Sequence, residues 1–97
     1  MFLRIHRSDN NHEVVGICDR ELIGKTITDG DLSISITEPF FGDHIVSEEE
    51  VISVLKKTEN ATLYGDRCVN LAINEGIIDK ENCRRVGGVL IAVIIRL

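Results

Sequence analysis

Val89-Leu90-Ile91-Ala92-Val93-Ile94-Ile95 is an unbroken aliphatic stretch near the end of the chain. It is rich in β-branched side chains, too short for a well-formed buried helix, and far too short to cross a bilayer. Read from Val89 to Leu97, it predicts a strand covered on both faces and therefore central in a sheet. Such a strand needs neighbours on both edges, and the rest of the chain must supply them. At 97 residues the chain is long enough for one domain, residues 1–97, with a core that needs no staples.

Candidate neighbours follow from period-two alternation. Phe2 to His6 sets Leu3 and Ile5 against Phe2, Arg4 and His6, and Val14 to Cys18 is a second β-branched run. Asp9-Asn10-Asn11 between them is turn chemistry. A hairpin pairing Ile5 with Val15 and Leu3 with Ile17 puts all four apolar side chains on one face. The other face then carries Arg4 beside Gly16, His6 beside Val14 and Phe2 beside Cys18. Asp19 to Gly30 reads as irregular, with a short helical turn around Arg20–Ile23. Leu32 to Thr37 alternates strictly and predicts a third strand, which Pro39 stops. Phe40-Phe41-Gly42-Asp43 reads as a loop in which only one of the two adjacent rings can face the core.

Ser47-Glu48-Glu49-Glu50 is a capping box, and Val51, Val54 and Leu55 follow at helical spacing with Lys56 and Lys57 in the last turn. A helix is expected over Glu48–Thr58. Ala61 to Tyr64 is too short to classify. Asp66 is placed to cap a second helix carrying Val69, Ala72 and Ile73, with Gly76 closing it. A third, short helix is expected from Asp79 to Val86, ended by Gly87-Gly88. The expected fold is α+β: a single two-layer domain of about four mixed or antiparallel strands with two to three helices packed on one face.

Composition narrows the function classes. The net charge is -5, concentrated in residues 31–60, so neutralisation of a nucleic-acid backbone would have to come from a local basic patch. The acidic middle could meet a basic partner, although a solvated helix face is the simpler reading. Aromatic residues are few (Phe2, Phe40, Phe41 and Tyr64), which disfavours a base-stacking platform for single-stranded RNA. Cys18, Cys68 and Cys83 are odd in number and widely spaced, with no C-x-x-C, which argues against a disulfide framework and a zinc site. A cytoplasmic location is expected. Arg4, His6 and Arg7 interrupt any apolar start of the signal-peptide kind.

A series of short words runs along the chain. Leu3-Arg4-Ile5-His6-Arg7 is followed by Val14-Val15-Gly16-Ile17-Cys18-Asp19 and Glu21-Leu22-Ile23-Gly24-Lys25. Phe40-Phe41-Gly42, Asn60-Ala61-Thr62-Leu63-Tyr64-Gly65 and Glu75-Gly76-Ile77-Ile78-Asp79 come later. Together they resemble the small archaeal family known as domain of unknown function 424, over nearly the whole chain. That family has no established activity and is described as predicted RNA-binding or translation-associated, so the resemblance implies an uncharacterised, translation-associated protein. The family's last strand is entered through a Gly-x-Pro-His-like word. Here that stretch is Gly87-Gly88-Val89-Leu90-Ile91, so any role of the Pro and His is missing from this chain.

Four constellations could carry chemistry. Arg4, His6 and Arg7, joined by Lys25 after Gly24, could converge on a phosphate, with a solvated sheet face as the plainer alternative. In a group of His6 with Cys18 and Asp19, Phe2 lies beside Cys18 and His6 two pairs further along the same face, too far for a nucleophile pair. His6, His12 and His44, with Asp43 or Glu13 nearby, have no metal-ligand spacing. Asn60 and Gly65 precede a helix whose N-terminus could hold an anion, against a plain turn and cap. No catalytic residue, metal or cofactor is expected. The first reading is a non-catalytic binding module with a protein or ribonucleoprotein partner, no membrane contact and an open oligomeric state. The second is direct RNA binding through Arg4, His6, Arg7 and Lys25, and the third is an enzyme acting on a small phosphorylated compound.

Overall fold

The computed structural model describes residues 1–7 and 12–96. In chain order the strands and helices are β1 (Phe2–Arg7), β2 (Glu13–Cys18), β3 (Thr26–Asp29), β4 (Leu32–Ser35), α1 (Glu38–Phe41), α2 (Glu48–Lys57), β5 (Asn60–Tyr64), α3 (Asp66–Asn74), β6 (Arg84–Val86) and β7 (Val89–Ile95). The class is α+β. Five strands form one mixed sheet in the order β1-β2-β5-β7-β6, and β3 and β4 form a separate hairpin. Within the main sheet β2 and β5 are parallel and the other pairs antiparallel.

The first hairpin takes the expected register, Ile5 opposite Val15 and Leu3 opposite Ile17. Its predicted Asp9-Asn10-Asn11 turn lies outside the described residues. The near face buries Val15, Ile17, Ala61, Leu63, Ala92 and Ile94 against Val51 and Leu55 of α2 and Val69 and Ala72 of α3. A second core forms on the far face, where Cys18, Ile27, Ile36, Phe41 and Val86 are buried together.

Several expectations are corrected. The strand at the centre of the sheet is β5, not β7, which lies one place further out between β5 and β6. Nor is β7 covered on both faces: Ala92 and Ile94 are buried, but Val93 is 53% and Ile95 67% exposed. The second core reaches only half-way across the far face, and these two side chains lie beyond it. The segment Leu32–Thr37 does not join the main sheet. Its first four residues pair with Thr26–Asp29, part of the stretch expected to be irregular, across an Asp29-Gly30-Asp31-Leu32 turn. Phe40 and Phe41 lie not in a loop but on the short α1, where Pro39 occupies the first turn.

The third helix is also absent: Lys80–Asn82 makes one 3₁₀ turn, and Arg84–Val86 then pairs as β6. Gly87-Gly88 does not end a helix. It is the two-residue turn joining β6 to β7, with φ of 55° and 80°, the left-handed pair that such hairpins require.

Helix α2 forms as its cap predicts, with Ser47 Oγ accepting the Glu50 N–H at 3.2 Å. Its C-terminus is held from a distance. The Arg96 guanidinium donates to the carbonyls of Leu55 at 3.0 Å and Thr58 at 3.1 Å, meeting orphan acceptors at the negative end of the helix dipole. Arg96→Ala should cost about 1–2 kcal/mol, the range for charge-assisted bonds to helix ends. Arg96→Lys should recover only part, since a lysine presents no planar fork. Urea unfolding midpoints of the two variants check this.

Helix α3 ends as expected at Gly76, where Gly76 N–H donates to Ile73 O and Ile77 N–H to Ala72 O. Its start is different. Gly65, not Asp66, is the N-cap residue, and the capping carboxylate belongs to Asp19 at the end of β2: its oxygens accept the N–H groups of Arg67 and Cys68, each at 2.9 Å.

Candidate functional site

The sheet register builds the far face row by row. Phe2, Cys18, Tyr64, Ile91 and Arg84 form one row across the strands, and Arg4, Gly16, Thr62 and Val93 the next. His6 beside Val14, and Asn60 beside Ile95, fall in a third. The β3–β4 hairpin and α1 roof the first row. Over the second they come down at the β1–β2 side: a Cβ on Gly16 would meet the Phe40 carbonyl at 2.7 Å and its ring at 2.9 Å, and Gly42 at the end of α1 lies against Arg4. Beyond Phe40 the roof stops, leaving a cleft of about 230 Å³ lined by Ile34, Ser35, Phe40, Phe41, Thr62 and Tyr64.

Phe40 is a fixed wall. His6 Nε2–H donates to its carbonyl at 2.7 Å, and the His6 ring stacks on its ring with centroids 5.0 Å apart. Phe41 meets it edge-on at 4.8 Å and tilts against Tyr64 at 5.2 Å. Burial pushes the Tyr64 phenol above its ordinary pKa, so it stays a neutral hydroxyl across physiological pH. The floor offers the Thr62 hydroxyl, and exposed Val93 and Ile95 continue the apolar surface away from the cleft.

The predicted basic group is only partly assembled. Arg4 and His6 share the far face, as their spacing requires, but His6 is engaged with Phe40. Arg7 falls on the opposite face and pairs with Glu13 at 2.9 Å. Lys25 follows the 3₁₀ turn Arg20–Leu22, where a backbone hydrogen bond first, then Arg67 and last Lys25 lower the pKa of Glu21. Asn60 and Gly65 lie at opposite ends of β5, and Asn60 pairs with Ile95. At Gly65 the anion on the helix N-terminus is the protein's own Asp19. Thr62, Tyr64, Ile34 and Ser35 were missed. The alternation of Asn60–Tyr64 carried the signal, because Ala61 and Leu63 face the near core and Thr62 and Tyr64 the opposite face.

Cys18 and Cys68 are buried, and burial is the main cause that pushes the Cys18 thiol up to about 12 and Cys68 higher still. Cys83 is raised for the same reason. These thiols are protonated at neutral pH and are poor nucleophiles. Among the described residues no group of three or more His, Cys, Asp or Glu is placed to hold a metal ion.

One titratable site couples to stability. Asp66 accepts the Leu90 N–H at 3.0 Å and pairs with Arg85, and these contacts, the backbone bond first, lower its pKa. The folded value lies below the unfolded one, so the stabilisation is complete above about pH 4 and is lost as pH falls through the folded value. The stability gap between wild type and Asp66→Asn, read from urea midpoints, should therefore narrow below about pH 4.

The comparisons agree with this architecture. A crystal structure of an uncharacterized conserved protein from Methanopyrus kandleri superposes with a TM-score of 0.77 at 18% identity, over 99% of this chain and 92% of that one. At that identity the likeness shows a shared fold. No curated protein matches the chain. The family model described as "Protein of unknown function (DUF424)" matches residues 6–97, all but the first five positions, and the chain belongs to that family.

Proposed function

We propose that this protein is a non-catalytic binding module that takes a protein partner from the translation machinery on the uncovered half of its far sheet face. One observation carries the reading: a rigid, aromatic-walled cleft of about 230 Å³ that runs on into exposed Val93 and Ile95. Preformed concave apolar sites with a few hydroxyls suit a bulky side chain offered by a partner, and a wall already held by His6 and Phe41 costs little to order. Among the described residues no carboxylate, imidazole or lysine lines the cleft, which supports a binding reading over a catalytic one. The acidic chain suits a protein better than a phosphate backbone. The choice of the translation machinery rests on the family resemblance alone.

The test is affinity capture of the tagged protein from its native host, with and without nuclease, alongside Thr62→Arg. Thr62 is partly exposed on the cleft floor, so arginine fills the cleft without entering the core. Partners should survive nuclease and fall at least tenfold with Thr62→Arg. Loss of all partners after nuclease, with binding that weakens steeply in salt and on Arg4→Ala plus Arg7→Ala, would replace this reading by direct RNA binding.

A further inference from the structure

We infer a second docking site, adjoining the cleft, at the outer edge of β7, where an extended peptide segment adds as a strand beside Val93 and Ile95. The hydrogen-bond ladder shows why the edge is open. Arg96 N–H donates to Glu59 O at 2.7 Å and Gly65 N–H to Leu90 O at 2.8 Å, so the even-numbered residues of β7 face β5. The odd-numbered ones face outward. Val89 and Ile91 meet Val86 and Arg84 of β6, which is only three residues long. Beyond it, among the described residues, the N–H and C=O of Val93 and of Ile95 have no strand partner, and both side chains are exposed.

The other edges of this sheet are guarded in recognisable ways. The start of β1 is covered, with Leu3 N–H donating to His44 O and Val46 N–H to Met1 O, and Arg4 and Arg7 charge the rest. β6 is short and carries Arg84 and Arg85. Val93-Ile94-Ile95 has no charge and no proline. An aliphatic edge with unsatisfied backbone groups is a template for one more strand.

The surroundings select the occupant. A cavity of about 290 Å³ separates this edge from the segment Gly76–Asp79. It has room for a few residues of a single extended chain. A second copy of this protein would have to bring its own β6 and its own Gly76–Asp79 segment into the same space. In the added strand, alternate side chains fall on the far face beside Val93 and Ile95, so the segment should carry apolar β-branched residues at every second position.

A random linear dodecapeptide library, panned against the whole protein, tests this. Enriched peptides should share an apolar/polar alternation, protect the Val93 and Ile95 amides from hydrogen exchange, and bind at least tenfold more weakly to Ile95→Pro. That substitution removes an outward N–H and no bond to β5. Val93→Lys, a surface change that charges the edge, should weaken binding likewise and guards against misfolding of the proline variant. Phe40→Ala, which removes the cleft wall over Gly16 of β2, should leave this binding intact, which separates it from the cleft. Peptides without alternation, or binding indifferent to Ile95→Pro and Val93→Lys, would overturn the proposal. So would a wild-type dimer that Ile95→Pro dissociates, since the edge would then belong to a second copy.

Discussion

Gly65→Ala is expected to destabilise the protein by about 3 kcal/mol, through a residue 46 positions away in sequence. Gly65 has φ of 127°, and a Cβ built there would stand 2.3 Å from Asp19 Cγ and 2.4 Å from one of its oxygens. Two costs add. The left-handed backbone conformation is strained for alanine by about 1–3 kcal/mol. The methyl group also displaces the Asp19 carboxylate, which is only 3% exposed and meets the first free N–H groups of α3. Asp19→Ala alone removes that cap, expected to cost about 2 kcal/mol, because two donors lose their charged acceptor at the positive end of the helix. Since Gly65→Ala acts partly by displacing Asp19, the double variant should cost less than the sum of the singles, and a double-mutant cycle in urea measures the difference. Additive costs would mean that the new methyl is accommodated without moving the carboxylate.

The same contact shows what the sequence could and could not reveal. Ser47 and Glu50 are three residues apart, so the cap of α2 can be read locally. Asp19 and α3 meet only because β2 and β5 lie parallel and side by side, bringing the end of β2 to the start of the helix. Asp66, next to the helix start, was the natural local candidate, but its carboxylate turns instead to Leu90 and Arg85. The register of β1 and β2 was legible because one choice buries Leu3, Ile5, Val15 and Ile17 together. β3 was not: Thr26–Asp29 contains a single buried residue, Ile27, too little apolar pattern to stand out from a loop. Gly87-Gly88 suits a helix end and a hairpin turn equally well, and pairing with β7 decided between them. The cleft was illegible for a related reason: its lining comes from β4, α1 and β5, and only tertiary packing brings these together.

Phe40 and Phe41 offer the sharpest separation of stability from binding. The short helix α1 sends Phe41 into the second core, 2% exposed, while Phe40 packs at its margin and stays half-buried at the cleft. Phe41→Ala should cost about 3–5 kcal/mol, the range for removing a buried aromatic ring and leaving a cavity. That is a large share of the roughly 5–15 kcal/mol that holds a domain of this size together. The loss should fall on the far face first, since Phe41 packs against Phe40 and Tyr64 while Val51, Leu55, Val69 and Ala72 belong to the other core. Hydrogen exchange should therefore show β3 and β4 deprotected before α2 and α3. Phe40→Ala should cost only about 1 kcal/mol, because it gives up ring stacking while the backbone carbonyl still accepts from His6. Its effect on partner capture should be the greater of the two when both are measured at a temperature where Phe41→Ala remains folded. If Phe40→Ala binds as wild type does, the wall it forms is structural and the partner does not enter the cleft.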